Sequence, residues 1–344
     1  MNSIIENAIE RRNAPSQQAS APCSIKLMQP GDTARWDQFV QTCPEATFFH
    51  RAGWQTVIEQ AFGHKTWFFY AESEGQIVGV LSLAEVKSRL FGHSLCSLPF
   101  CVYSGIVATT DAAREALDKR AQELAAELQV GHLEYRNLQP QHADWATKDI
   151  YVTFRKEILP DPEQNMLAIP KKQRAMVRKG IKNGLQTSID DNVERLFTAY
   201  ATSVHRLGTP VFPKKYFALL KSVFGDDCEV QTITNQGRIV ASVLSFYFRD
   251  EVLPYYGGGM PEAREVAGND FMYWELMRRA CERGIKVFDF GRSKVGTGAF
   301  DFKKNWGFEP QRLHYEYQLF IKMWRKLPLP VANGLGPFIV KNLG

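Results

Sequence analysis

Glu74-Gly75-Gln76-Ile77-Val78-Gly79 recurs as Gln236-Gly237-Arg238-Ile239-Val240-Ala241, displaced by 162 residues, and this recurrence divides the chain. One match of glycine ahead of a hydrophobic run is weak. Two further blocks in a common register support it. Tyr103-Ser104-Gly105 matches Tyr256-Gly257-Gly258, and Gly131-His132-Leu133-Glu134-Tyr135 matches Gly284-Ile285-Lys286-Val287-Phe288, both displaced by 153 residues. Helices of similar length flank the matched blocks. Each half reads as strand, helices, antiparallel strands, helix, strand, with all its strands in one mixed α/β sheet. The halves join near Leu159-Pro160-Asp161-Pro162.

Working outward, the first half predicts a strand over 24–29 and a helix from Thr33 to Gln41. A second helix follows Gly53-Trp54, and strands follow over 66–71, 77–86 and 101–108. A helix over 112–128, capped by Asp111 and ended by Gly131, leads to a strand over 132–136. The expected domains are 23–159 and 160–326. Residues 1–22, a Pro/Ser/Gln/Ala-rich segment, are expected to be a disordered tail, and 327–344 a C-terminal tail.

With 344 residues there is material for two cores, and 44% hydrophobic and 23% charged residues fit a soluble globular protein. A net charge of +5 favours anionic ligands only where it is concentrated. The six cysteines lack CxxC spacing and read as buried thiols of a reducing compartment. The seven histidines show no ligand spacing, so no metal site is expected. Neither a signal peptide nor an apolar run of the ~20 residues a bilayer demands is present, and a cytoplasmic location is expected.

The densest chemistry lies in Asp289–Pro310, DFGRSKVGTGAFDFKKNWGFEP. A buried strand gives way to Gly291, Gly296 and Gly298, where backbone must turn or approach a ligand closely. Arg292-Ser293-Lys294 and Lys303-Lys304 surround that backbone with cations at the strand's carboxyl end, where open α/β sheets bind ligands. Arg292 and Lys294 can hold a phosphate or carboxylate. Upstream, Lys171, Arg174, Arg178 and Lys182 fall on one helical face with no acid in 171–182, a helix that repels itself unless an anion approaches. A plain solvated face is the competing account. The modest net charge excludes an extended nucleic-acid interface, and no DNA partner is expected. Asn269 is placed to cap the helix Phe271–Arg283, and the glycines of Tyr255–Gly259 suit either a β-bulge or a grip on an extended acyl substrate.

Four blocks, IPKKQRAMVRKGIKNGL, RLGTPVFPKKYF, YYGGGMPEAREVAGNDFMYWELMRRACERGIKVFDFGRS and GTGAFDFKKNWGFEP, resemble the FemAB family of peptidyl- and aminoacyl-transferases. The last two resemble its exosortase/PEP-CTERM and exopolysaccharide-associated subgroup. The resemblance covers roughly residues 24–320. It implies two tandem GNAT-like domains and an acyltransferase that moves an aminoacyl or acyl group onto an amine of a cell-envelope or exopolysaccharide precursor. Lys303, after Phe302 in the family's Phe-Lys pair, is implied to contact the reacting carbonyl or a substrate phosphate. A lysine there would stabilise the tetrahedral oxyanion of acyl transfer. Tyr256, Phe302 and Arg206 join the expected substrate contacts, beside Arg292, Ser293, Lys294, Lys171, Arg174 and Arg178. The general base is left among Asp270, Asp289, Tyr256 and a substrate group.

No resident cofactor is implied. The donor is a co-substrate, aminoacyl-tRNA or an acyl-CoA or acyl carrier. The acceptor is a small-molecule or lipid-linked precursor, with peripheral membrane contact left open. Two departures bear on this. GGGMPEAREVAGND does not fit the Arg/Gln-x-x-Gly-x-Gly/Ala loop of acetyl-CoA users, and Gly53-Trp54 is followed by Gln55-Thr56-Val57-Ile58 where some members carry a diphosphate-binding cation. The alternatives are a GNAT N-acyltransferase acting on an amino sugar and a non-catalytic binder of phosphorylated envelope precursors.

Overall fold

Two hairpins of the same construction organise the chain. In the computed structural model, which describes residues 23–88 and 92–320, β2 (Thr66–Ser73) turns into β3 (Gln76–Ser88) and β11 (Cys228–Asn235) into β12 (Arg238–Phe248). The turns place Glu74 and Gly75 at φ 50° and 77°, and Gln236 and Gly237 at 49° and 77°. Both central residues at positive φ match the right-handed twist of the paired strands. A register shift follows at Ala71/Glu72 in one hairpin and Ile233/Thr234 in the other, again 162 residues apart. The expected tails 1–22 and 327–344, with residues 321–326, lie outside the described residues.

The first half contains β1 (Ser24–Leu27), α1 (Thr33–Thr42), α2 (Gly53–Phe62), β4 (Gly92–Cys96), β5 (Val107–Ala108), α3 (Asp111–Glu127) and β6 (His132–Asn137). Short strands β7 (Ala146–Thr147), β8 (Tyr151–Thr153) and β9 (Arg155–Glu157) lead to the second half. It contains α4 (Pro162–Ala168), α5 (Lys171–Lys182), β10 (Gln186–Asp190), α6 (Glu194–Arg206), α7 (Lys214–Phe224), β13 (Glu251–Gly259), α8 (Ala263–Val266), α9 (Gly268–Glu282), β14 (Val287–Asp289), β15 (Ser293–Lys294), α10 (Gly298–Asn305), β16 (Gln311–Arg312) and β17 (His314–Leu319).

The sheets do not close within the halves. One runs β1-β2-β3-β4-β6-β17-β7 with β5 beside β3, and the other β10-β11-β12-β13-β14-β9. β17, from the end of the described chain, thus completes the first sheet, and β9, from before the join, edges the second. β8 forms a separate three-stranded sheet with β15 and β16. Each large sheet has one parallel pair at equivalent places, β4 with β6 and β13 with β14. The expectation that each half keeps its strands in one sheet is corrected on this point.

The strand expected over 101–108 is cut back to β5, Val107–Ala108, which pairs with β3. β4 at 92–96 occupies that place in the sheet, and the chain then leaves the sheet through Leu98 and Phe100 at φ 49° and 69°. Tyr103-Ser104-Gly105 is therefore a loop, whereas Tyr256-Gly257-Gly258 is strand.

The two halves share a core. Phe48 stacks on Phe246 with centroids 4.2 Å apart, and Trp54 packs on Phe224 and Phe246. α9 covers one face of the second sheet, and α5 lies outside it, pressed close because Gly180 meets Phe271 without a Cβ. The six cysteines are free thiols, and no described helix is long and apolar enough to cross a membrane.

Candidate active site around Lys303

β14 ends on Asp289, a fully buried carboxylate that fixes the start of the following loop. It accepts hydrogen bonds from the Gly291 amide at 2.6 Å, the Tyr103 hydroxyl at 2.8 Å and Thr153 Oγ1 at 3.1 Å, with Arg155 Nε at 3.5 Å. A carboxylate so enclosed is a brace rather than a free base. Gly291 turns the chain at φ 67° and Gly296 turns it again at φ 78°. Thr297 then caps α10 by accepting from the Phe300 amide.

α10 points Lys303 back at the turn it came from. Its Nζ donates to the Gly291 carbonyl at 3.0 Å and the Arg292 carbonyl at 3.1 Å, and lies 5.9 Å from the Phe154 ring centroid. Burial pushes its pKa down to about 7, against the pull of Asp289 and with the push of Arg292. A half-buried ammonium with two protons held by carbonyls keeps a third N–H for a ligand oxygen.

Arg292, Ser293 and Lys294 stand beside it. The Arg292 guanidinium lies 4.7 Å from the Tyr151 ring centroid and reaches the Tyr315 hydroxyl at 3.4 Å. Neither Arg292 nor Lys294 has a carboxylate partner among the described residues. Burial lowers the Lys148 pKa; Glu134 opposes this, while Arg292 and Lys294 lower it further. Glu134 itself pairs with Arg136 at 2.8 Å. Ser293 Oγ and the Tyr151 hydroxyl are buried without a hydrogen-bond partner among the described residues. Surplus cations and unmatched hydroxyls at one place suit an anionic ligand group. Lys148 escaped sequence reading, since nothing in its local pattern ties it to a loop so far along the chain.

Next to this cluster, β13 pairs with β14 only at Glu251 and Val252, yet with β12 as far as Gly259. Beyond Val252 its β14-facing edge has no strand partner among the described residues, and backbone groups there can hold an extended acyl or peptide chain. The first half supplies the opposite wall, where the Tyr255 hydroxyl bonds the Phe100 carbonyl.

Other expected site residues are not brought to Lys303. Tyr256 follows the bulge at Tyr255, where the β12 register shifts, and the two rings pack edge to face with centroids 4.7 Å apart. The Tyr256 hydroxyl bonds Tyr216 at 2.9 Å inside an aromatic core. Phe302 packs on Tyr273 and Trp306 behind the lysine. Arg206 ends α6 exposed, with no bond to the cluster. Lys171 and Arg178 are exposed, and Arg174 donates to the Leu167 carbonyl at 3.1 Å. The Asp270 carboxyl is engaged by Gln173 and by Trp306 Nε1, and burial raises its pKa. Asn269 does not cap α9, which starts one residue earlier after Ala267 at φ 61°. Asp289 and Asp270 are engaged and Tyr256 lies elsewhere, so none of the three expected side-chain bases stands free beside Lys303.

The acetyltransferase (GNAT) domain family matches residues 171–304, a span that ends just past Lys303. Together with the mixed sheets and the parallel pair in each, this defines an acyltransferase of the GNAT fold, present here as two tandem copies. Among solved structures the chain is similar to FemX, with a TM-score of 0.67 at 15% identity over 85% of this chain and 97% of that one. It is similar also to a tandem GNAT protein from the clavulanic acid biosynthesis pathway (TM-score 0.56, 10% identity, 87% and 98% covered). L-PGS from Bacillus licheniformis shares the fold as well (TM-score 0.53, 14% identity, 85% and 97% covered). No curated protein sequence matches the chain.

Proposed function

We propose that this protein transfers an aminoacyl or acyl group from an activated donor to an amine of a cell-envelope precursor. The observation that carries this reading is the Lys303 ammonium, held on the Gly291 and Arg292 carbonyls beside the open edge of β13. The acceptor nitrogen attacks the donor carbonyl carbon, the π electrons move onto oxygen, and the Lys303 N–H receives the oxyanion. Collapse expels the donor's oxygen or sulfur leaving group, which takes the proton lost by the amine. Preorganised donors of this kind contribute on the order of 3 kcal/mol to the transition state. The proton passes through a substrate group or water. The donor is a co-substrate, and the reaction needs no metal or redox cofactor.

Arg292, Lys294 and Lys148 hold the anionic part of a substrate. The GNAT domain match and the tandem fold shared with FemX and L-PGS support a donor such as aminoacyl-tRNA and a lipid-linked or nucleotide-linked acceptor handled on the cytoplasmic side. The open β13 edge favours a second reading, an acyl-CoA- or acyl-carrier-dependent N-acyltransferase acting on an amino sugar. The exopolysaccharide and exosortase setting is the narrower form of the first reading.

The test is transfer of a labelled acyl group to amine acceptors from aminoacyl-tRNA and from acyl-CoA, with wild type and Lys303→Ala. Product from aminoacyl-tRNA alone supports the first reading, and product from acyl-CoA alone the second. Precursor binding without turnover by either donor would leave only a binding protein.

A further inference from the structure

α4 and α5 lie outside α9, and their free face carries a pattern that the reaction does not use. Gln173, Val177 and Gly180 turn inward, leaving Lys171, Lys172, Arg178, Lys179 and Lys182 exposed. At about 100° per residue, Lys171, Arg178 and Lys182 lie opposite the buried face, and Arg174 shares one flank with Ile181 two turns on. Arg174 also reaches the Leu167 carbonyl, which brings the end of α4 alongside that flank. Leu167 is 62% exposed and Ile181 50%. None of the α5 cations forms an ion pair among the described residues. The nearest acids in sequence are Asp161 and Glu163 at the far start of α4, and Asp190 and Asp191 at the end of β10, where Asp190 is paired with Arg195 and Thr232. Glu265 lies on α8 and Glu262 just before it, beyond the end of α5, where Asn183 bonds Val266.

We propose that this ridge docks the protein on an anionic lipid bilayer. The cations sit over the phosphate groups, and Leu167 and Ile181 enter the interface between headgroups and acyl chains. Basic charge with exposed large apolar residues on the same helical surface is the composition that binds such interfaces. A polyphosphate such as RNA satisfies the charges but gains little from Leu167 and Ile181. The ridge begins against the helix that carries Lys303, since Pro170 packs on Gly307 just after α10. Docking therefore holds the Lys303 site close to the bilayer, where a lipid-linked acceptor presents its amine.

The experiment is flotation of the full-length protein with phosphatidylcholine vesicles, with and without phosphatidylglycerol, across a salt series. Binding is expected only with phosphatidylglycerol, weakening as salt rises. Lys179→Glu/Lys182→Glu is expected to reduce it at least about tenfold. Leu167→Ser and Ile181→Ser, tested separately, are expected to reduce it several-fold with unchanged circular dichroism and unchanged turnover of a soluble acceptor. Absence of binding to phosphatidylglycerol vesicles overturns the proposal. So does binding that the charge reversals abolish but both serine variants leave intact, which would assign the ridge to a soluble polyanion.

Discussion

The Tyr103 hydroxyl, carried by a loop of the first half, donates to the Asp289 carboxylate at the end of β14 over 2.8 Å. Asp289 in turn holds the Gly291 amide, and the Gly291 carbonyl holds Lys303. One half thus braces the loop that holds Lys303 in the other. Tyr103→Phe removes a donor from a buried carboxylate and is expected to destabilise the protein by about 1–3 kcal/mol. Asp289→Asn, which disturbs every donor at once, costs more. Both lower kcat more than they raise KM, because they move the lysine's cradle rather than the substrate's contacts. Urea melts with single-turnover kinetics check this.

Lys303→Ala is expected to lower kcat by about 10²–10³-fold. The depressed pKa, about 7, sets the pH behaviour. With the ammonium as the working form, the Lys303 contribution to kcat/KM falls as pH rises through about 7. Lys303→Arg, cationic throughout, loses that limb. A limb that rises through about 7 would instead make the neutral amine a base. The stability sign is separate. Between about 7 and the ordinary 10.5 the unfolded chain binds more protons, so this residue makes stability rise with pH. Lys303→Met removes that slope in melting curves.

His142 gives the opposite sign. Its ring nitrogens face Asp118 at 3.2 Å and the buried Glu316 of β17 at 3.0 Å. Burial alone would lower its pKa, but the hydrogen bonds with Asp118 and Glu316 and their charges outweigh it and hold it at about 9. The stabilisation is complete below the unfolded value of 6.5 and is lost as pH rises through about 9. It is on the order of 2 kcal/mol. His142→Gln is expected to lower Tm at pH 6 and to flatten its fall towards pH 9, read by calorimetry.

Three glycines separate crowding from freedom. A Cβ on Gly258 would stand 2.5 Å from the Ala199 carbonyl oxygen and 2.8 Å from the Tyr200 Cα, so α6 would have to move off β13. On Gly180 it would meet the Phe271 Cβ at 2.7 Å. Alanine at either position is expected to cost about 1–3 kcal/mol. Gly298→Ala, with nothing within 4 Å at the start of α10, is expected to leave Tm unchanged or slightly raised.

Much of this was legible in the sequence where the cause is local. The repeated polar-glycine pair became two hairpins with the same left-handed turn residues and the same bulge. Gly291 and Gly296 became the turns that present Lys303. The strand expected at 101–108 survives only as Val107–Ala108, because two non-glycine residues just before it, Leu98 and Phe100, take left-handed backbone that propensity does not anticipate. Tyr256 was expected at the site, but its ring and hydroxyl are enclosed by Tyr200, Phe212, Tyr216 and Phe217, residues distant in the chain that no local pattern brings together.

The sequence by itself determined the duplication, the tight turns and the acid-free helix α5, since each follows from repeated blocks, backbone preference or spacing along the chain; the helix α10 under Lys303 was not among them. Only the tertiary structure decided that β17 completes the first sheet and β9 edges the second, that Tyr103 braces Asp289, and that Lys148 joins Arg292 and Lys294. Which strand fills a sheet edge depends on which edge is left open once both halves have packed on their common aromatic core. That is a property of the assembled layers, and no local pattern encodes it.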